Sequence, residues 1–167
     1  MQNEIQQIVK KLQLLPHPEG GFYRETYRCE TVIPQSVLGY DFNAQRNVST
    51  CIYFMLVSGN FSAFHRIKQD EIWHFYRGSA LRLYMISLEG KLSKVKIGSD
   101  ILNGEMPQFV VPAGYWFAAE VIAENSYSLV GCTVAPGFDF ADFELGDKVI
   151  LGELFPNHKE IIEKYCR

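Results

Sequence analysis

Apolar and polar positions alternate along most of this chain, and the period of the alternation changes twice. In "NEIQQIVKKLQLL" the apolar residues Ile5, Ile8, Val9 and Leu12 recur at helical spacing. The spacing predicts an N-terminal helix within residues 1–15, with Asn3 and Gln6 as a capping box. "PHPEGG" then brings two prolines and two glycines, which end a helix. From Phe22 the period falls to two: Phe22, Arg24, Thr26 and Arg28 alternate with Tyr23, Glu25 and Tyr27. A strand with such a polar row suits an edge or an interface.

From Ser49 onward short strands follow one another. "STCIYFMLV", "SAFHRI", "EIWHFYRG", "ALRLYMIS", "LSKVKIG", "QFVVPAG", "YWFAAEV" and "YSLVGCTVAP" each read as a strand. Turn signals such as "SGN", "KQD", "LEGK", "NGEMP" and "AENS" separate them. No helix-length periodic segment interrupts residues 48–135, which argues against an α/β fold. Strands at this cadence predict an all-β sandwich or closed barrel over residues 20–145. Helical spacing returns in "PNHKEIIEKYCR", residues 156–167, with Asn157 and Glu160 as a second capping box. No linker or repeat divides the 167 residues, so a single domain is expected.

Composition narrows the partners. The net charge is −3 with no basic stripe, which excludes a nucleic-acid binder. No run approaches the ~20 apolar residues of a membrane span, and residues 1–15 hold no signal-peptide core. Cys29, Cys51, Cys132 and Cys166 are scattered, as small hydrophobes in a reducing compartment are. The expectation is a cytoplasmic protein. Aromatic residues crowd the middle of the chain, where strands line small-molecule pockets.

Candidate chemistry concentrates in "GNFSAFHRIKQDEIWHFYRG", residues 59–78. The spacing of Gly59, His65, Glu71 and Gly78, with Pro112 and Gly114 further on, resembles the cupin superfamily. Its motifs run G-x5-H-x-H-x3,4-E-x6-G and G-x5-P-x-G-x2-H-x3-N. Two departures are plain. Ile67 stands at the second histidine of the first motif, and Phe117 at the histidine of the second. The interval from Gly104 to Pro112 is also longer than the pattern, and Val121 replaces its asparagine. "HPEGGFYRETYR", "STCIYFML", "DEIWHFYRG" and "VPAGYWFAAEV" resemble one subgroup more closely, the cupin-5 or DUF985 family of uncharacterised bacterial and fungal proteins. That likeness spans nearly the whole chain. It implies a double-stranded β-helix, or jelly roll, usually dimeric, with a pocket inside the barrel and no established reaction. A more distant likeness reaches the dTDP-sugar epimerase-like cupins, which share the fold and work without metal.

Alternation puts His65 and Ile67 on one strand face, and Glu71, Trp73 and Phe75 on one face of the next. If that face is the interior, His65 and Glu71 share an apolar cavity. The likeness implies a metal held by three histidines and a glutamate, of which only His65 and Glu71 remain. Two ligands are too few for a tight site. No metal cofactor is expected, and a weak site through His65 and Glu71 is the lesser reading. Groups buried in this way titrate near neutral pH, which suits general acid–base work. His65 is the candidate base, with Glu71 or Tyr53 as the acid; the plain alternative is a His65–Glu71 hydrogen bond closing a polar defect in the core.

Trp73, Phe75, Trp116 and Phe117 are candidate ligand-stacking rings, or core. Arg24 is a candidate clamp for a carboxylate or phosphate, or a surface charge; related jelly rolls lend this strand to a partner's pocket. Arg28, Arg66, Arg77 and Arg82 read as outward charges, and His74 as an outer-layer residue. "FDFADFELGD" reads as a rim or lid, and His17 and His158 as residues without chemistry. Three functions follow. The first is a metal-independent isomerase or epimerase of a small, sugar-like molecule, working as a homodimer. The second is a non-catalytic binding or sensing module. The third is a metal-dependent cupin enzyme.

Overall fold

The computed structural model describes residues 2–167. Helix α1 (Gln2–Leu12) leads into β1 (Leu15–Pro16), β2 (Phe22–Arg28), β3 (Val32–Ile33), the short α2 (Gln35–Leu38) and β4 (Arg46–Asn47). The main strands are β5 (Thr50–Val57), β6 (Phe61–Arg66), β7 (Asp70–Gly78), β8 (Leu81–Ile86) and β9 (Leu92–Ile97). After β10 (Glu105–Met106) come β11 (Gln108–Val111), β12 (Trp116–Val121), β13 (Tyr127–Ala135) and β14 (Glu144–Leu145). Two helices, α3 (Lys148–Leu154) and α4 (Lys159–Tyr165), complete the chain.

The strands form two six-stranded sheets. One runs β1-β2-β5-β13-β7-β11, the other β10-β9-β8-β12-β6-β14. Every pairing within them is antiparallel except β9 with β10. This is a mainly-β jelly roll with short terminal helices, the expected class.

Several strands are apolar on both faces because both faces are covered. In β5 the inward residues Phe54 and Leu56 meet Trp73, Phe117 and Val130 between the sheets. Met55 points outward instead and packs with Leu14, Tyr127 and Leu129 under the apolar face of α1. In β12 the inward row is Phe117, Ala119 and Val121. Its outward row, Trp116 and Ala118, is buried beneath Leu151 of α3 and Ile162 and Tyr165 of α4. Each fully buried side chain of this size contributes roughly 1.5–3 kcal/mol.

Both expected capping boxes are absent. Asn3 lies inside α1 and its side chain accepts from Gln7 instead. Asn157 lies in a 3₁₀ turn, Pro156–His158, and no side chain caps α4. Helix α3 follows the rim in residues for which the sequence predicted no element, and Asp147, the last rim residue, caps it by accepting from the amides of Val149 and Ile150. Met1, included in the expected first helix, lies outside the described residues. None of the described helices is long and apolar enough to cross a membrane.

Candidate functional site

One end of the sandwich is filled and the other is hollow. Phe54, Trp73 and Phe117 meet edge to face and close off the filled part, with ring centroids 5.8 and 6.3 Å apart. Beyond them lies a cavity of about 440 Å³. Its polar wall contains His17, Glu19, His65 and Glu71, and its apolar wall includes Tyr23, Phe54, Phe138, Phe140 and Phe143.

A break in β6 assembles the polar wall. Ser62 pairs with Ala119, yet His65 pairs with Phe117, so three steps on β6 oppose two on β12. This bulge turns Ser62 and His65 to the same inner face. Both reach Glu19, which the turn after α1 delivers. The Glu19 carbonyl accepts from the Ala63 amide at 2.8 Å, joining the turn to β6. Gly20 follows with φ +117°, and a Cβ there would strike the Phe61 carbonyl. Only glycine takes this backbone so close to β6 without strain.

The Glu19 carboxylate accepts from Ser62 Oγ at 2.9 Å and from His65 Nε2 at 2.9 Å. The other ring nitrogen of His65, Nδ1, donates to the Ala63 carbonyl at 2.7 Å. With an acceptor at each nitrogen, the ring is held as an imidazolium. Burial alone would lower the His65 pKa, but the charge and hydrogen bond of Glu19 reverse this and hold it above its ordinary value. Burial would likewise raise the Glu19 pKa, and His65 reverses that, holding it below the usual carboxylate range. His17 completes the cluster as a neutral ring. Its Nδ1 accepts from the Glu19 amide at 3.3 Å, which places the proton on Nε2 and leaves that N–H without a partner among the described residues. Burial lowers its pKa, against the pull of Glu19.

Glu71 stands apart. The carboxyl is buried in the cavity wall, and its flanking donors are weak. The Cys132 thiol and the Trp73 indole lie beside it, and among the described residues Trp73 Nε1 reaches no acceptor at hydrogen-bond distance. Burial pushes its pKa up to about 7, with His65 pulling it down and Glu19 adding to the rise. Burial, reinforced by Glu71, raises the Cys132 thiol well above its usual value, so it stays protonated.

A lid closes one side. Phe138, Phe140 and Phe143 pack nearly perpendicular to one another, with centroids 5.0, 6.0 and 6.4 Å apart. Asp142, in the same segment, is pinned by Arg46 through contacts of 2.6 and 2.7 Å and by Gln69 at 2.7 Å, all buried.

The structure brings His65 and Glu71 to one cavity but joins His65 to Glu19, so the alternative of a His65–Glu71 hydrogen bond is not met. The other named residues lie elsewhere. Tyr53 faces outward against Tyr76, with ring centroids 6.0 Å apart. Arg24 donates to the Leu12 carbonyl at the end of α1, at 3.1 Å. Trp73 and Phe117 belong to the filled core, with Phe75 packed against it, and Trp116 lies on the outer face under Arg66, 4.6 Å from its ring. His74 bonds Thr133 on the outer face. Arg28, Arg66, Arg77 and Arg82 pair with Glu25, Glu144, Glu4 and Glu120. Glu19 and His17, read as turn and loop residues, are in the site; the only sequence signal was a carboxylate between Pro18 and two glycines.

The cupin metal positions do not fit an ion. Ile67 and Phe117 offer no donor atom, and both nitrogens of His65 are spent. Among the described residues no group of three or more His, Cys, Asp or Glu is placed to hold a metal.

The chain matches the family described as Cupin superfamily (DUF985) over residues 6–146. It belongs to that family. A solved protein from Shewanella oneidensis is 43% identical, each chain covering 96% of the other, with a TM-score of 0.86. A hypothetical protein from Leishmania major is 33% identical over 96% of this chain and 97% of its own, with a TM-score of 0.89. An uncharacterised protein of Saccharomyces cerevisiae is 31% identical, over 84% of this chain and 74% of its own length. None of these three relatives carries a stated activity.

Proposed function

We propose that the cavity binds a small polar organic molecule bearing a carbonyl group and isomerises or epimerises it without a metal. The observation that carries this reading is Glu71: a buried carboxyl facing an apolar cavity, with a pKa of about 7. Such a group is a proton carrier matched to neutral pH. The ionised Glu71 carboxylate takes the proton from the carbon next to the carbonyl. The electron pair of that C–H bond moves to the carbonyl oxygen, giving an enolate. Glu71 then returns the proton to the former carbonyl carbon while the proton of an adjacent hydroxyl passes to the enolate oxygen, so the carbonyl shifts by one carbon; return to the opposite face, for epimerisation, needs the enolate to turn over in the cavity. His17 supports the oxygen: a neutral ring with its Nε2–H free is a donor that keeps its own proton. His65, with both N–H groups engaged, acts through its positive charge rather than as the base.

The test is exchange of substrate hydrogen for solvent deuterium, screened over ketosugars, aminoketones and 2-keto acids. Exchange that disappears in Glu71→Gln supports the reading. Exchange retained in that variant, or absent from every compound that binds, overturns it. The mostly apolar, aromatic wall favours a second reading, a binding module without catalysis, and tight binding without exchange selects it.

A further inference from the structure

The charges around the cavity restrict what enters it. Four carboxyl groups line it, those of Glu19, Glu25, Glu71 and Asp139, against one guanidinium, Arg28. Four of the five Arg28 N–H groups are engaged, and its charge is paired. Its Nε and one terminal nitrogen clasp both oxygens of Glu25 at 2.9 and 2.7 Å. Its remaining contacts are Asn47 at 2.8 Å and the Phe138 carbonyl at 3.1 Å. The imidazolium of His65 is neutralised by Glu19 in the same way. Among the described residues lining the cavity, an anionic ligand therefore meets no cation that is not already paired with a carboxylate, while Glu71 and Asp139 form no salt bridge. Aromatic rings surround them: Tyr23 and Phe54 on the strands, and Phe138, Phe140 and Phe143 in the lid. Ring faces beside carboxylates attract organic cations, and a desolvated site strengthens the attraction.

We propose that this cavity recognises an organic ammonium group, seated against the Phe138, Phe140 and Phe143 rings and the Glu71 carboxyl. The substrate class is then an amine-bearing carbonyl compound rather than a sugar nucleotide or a keto acid. The inference uses the reading above for the place of the ligand and not for turnover. Binding is coupled to pH through the charges that face Glu71. These are His65 on β6 and Glu19 on the turn; the Cys132 thiol on β13 stays protonated. A bound cation favours the ionised form of Glu71, so affinity rises as the pH is raised from 6 to 8.

Calorimetry with three probes of one shape tests this: choline, the uncharged 3,3-dimethylbutan-1-ol, and the anion 3,3-dimethylbutanoate. At pH 8 choline is expected to bind roughly tenfold tighter than the alcohol, and the carboxylate not at all. Glu71→Gln should weaken choline and leave the alcohol unchanged. Phe140→Ala, at a half-exposed ring whose loss the core tolerates, should weaken choline as well. Equal or tighter binding of the alcohol or the carboxylate overturns the proposal, as does failure of choline to bind at millimolar concentration. Deuterium exchange on an uncharged ketosugar without choline binding removes only the ammonium preference. Choline binding without exchange on any compound removes only the catalysis.

Discussion

Glu19 holds His65: its carboxylate accepts the His65 Nε2–H at 2.9 Å, and the two side chains are only 7% and 3% exposed. The pair joins a turn to a bulged strand far along the chain, and it fixes the charge on the imidazole. Removing the carboxylate leaves a buried cation without its partner. Glu19→Gln is therefore expected to cost about 3 kcal/mol in urea unfolding and to drop the His65 pKa below its ordinary value. A loss under about 1 kcal/mol, the worth of an exposed pair, would show that the contact is solvated.

Glu71 carries the opposite linkage. Its pKa is raised on folding from 4.5 to about 7, so the folded state binds the proton more tightly than the unfolded chain. That contribution is complete below pH 4.5 and is lost as pH rises through about 7. Taking Glu71→Gln as reference, wild-type stability should fall by about 3 kcal/mol between pH 4.5 and 8, the gap between the two pKa values. Urea titrations of both proteins across this range measure it. A constant difference would mean that Glu71 is open to water.

Nine of the strands were legible because their two-residue alternation and turn residues agree with the sandwich they build. His65 and Glu71 were placed on inward faces by that same alternation. The partner of His65 was not legible. It sits in a turn 46 positions earlier in the chain, and a bulge between Ser62 and His65 is needed to aim both at it. Tyr53 and Trp116 were misjudged for a related reason. Both lie on strands apolar on each face, where composition does not say which face is the inner one. The lid was seen as a phenylalanine-rich rim, but the Arg46–Asp142 pair that pins it connects residues with no sequence signal in common.

That pin has a measurable role. Asp142→Asn leaves the Arg46 guanidinium buried without its anion, at a cost of about 3 kcal/mol. Amides of residues 138–146 should lose hydrogen-exchange protection first, because among the described residues no other buried ion pair holds the lid segment. Uniform loss across both sheets would show that Asp142 supports the whole fold rather than the lid.

No ion is expected to hold this site together. Elemental analysis after purification without chelator should find sub-stoichiometric metal, and EDTA should leave the unfolding midpoint unchanged. A stoichiometric ion whose removal lowers the midpoint would contradict the assignment of both His65 nitrogens to protein acceptors.

The proton-carrying role of Glu71 can be read on the residue itself. With ¹³C-labelled glutamate, the Glu71 side-chain carboxyl resonance is followed from pH 3 to 9. A midpoint near 7, absent in Glu71→Gln, is the expected result; a midpoint near 4.5, the ordinary glutamate value, would contradict a desolvated acid–base group in this cavity.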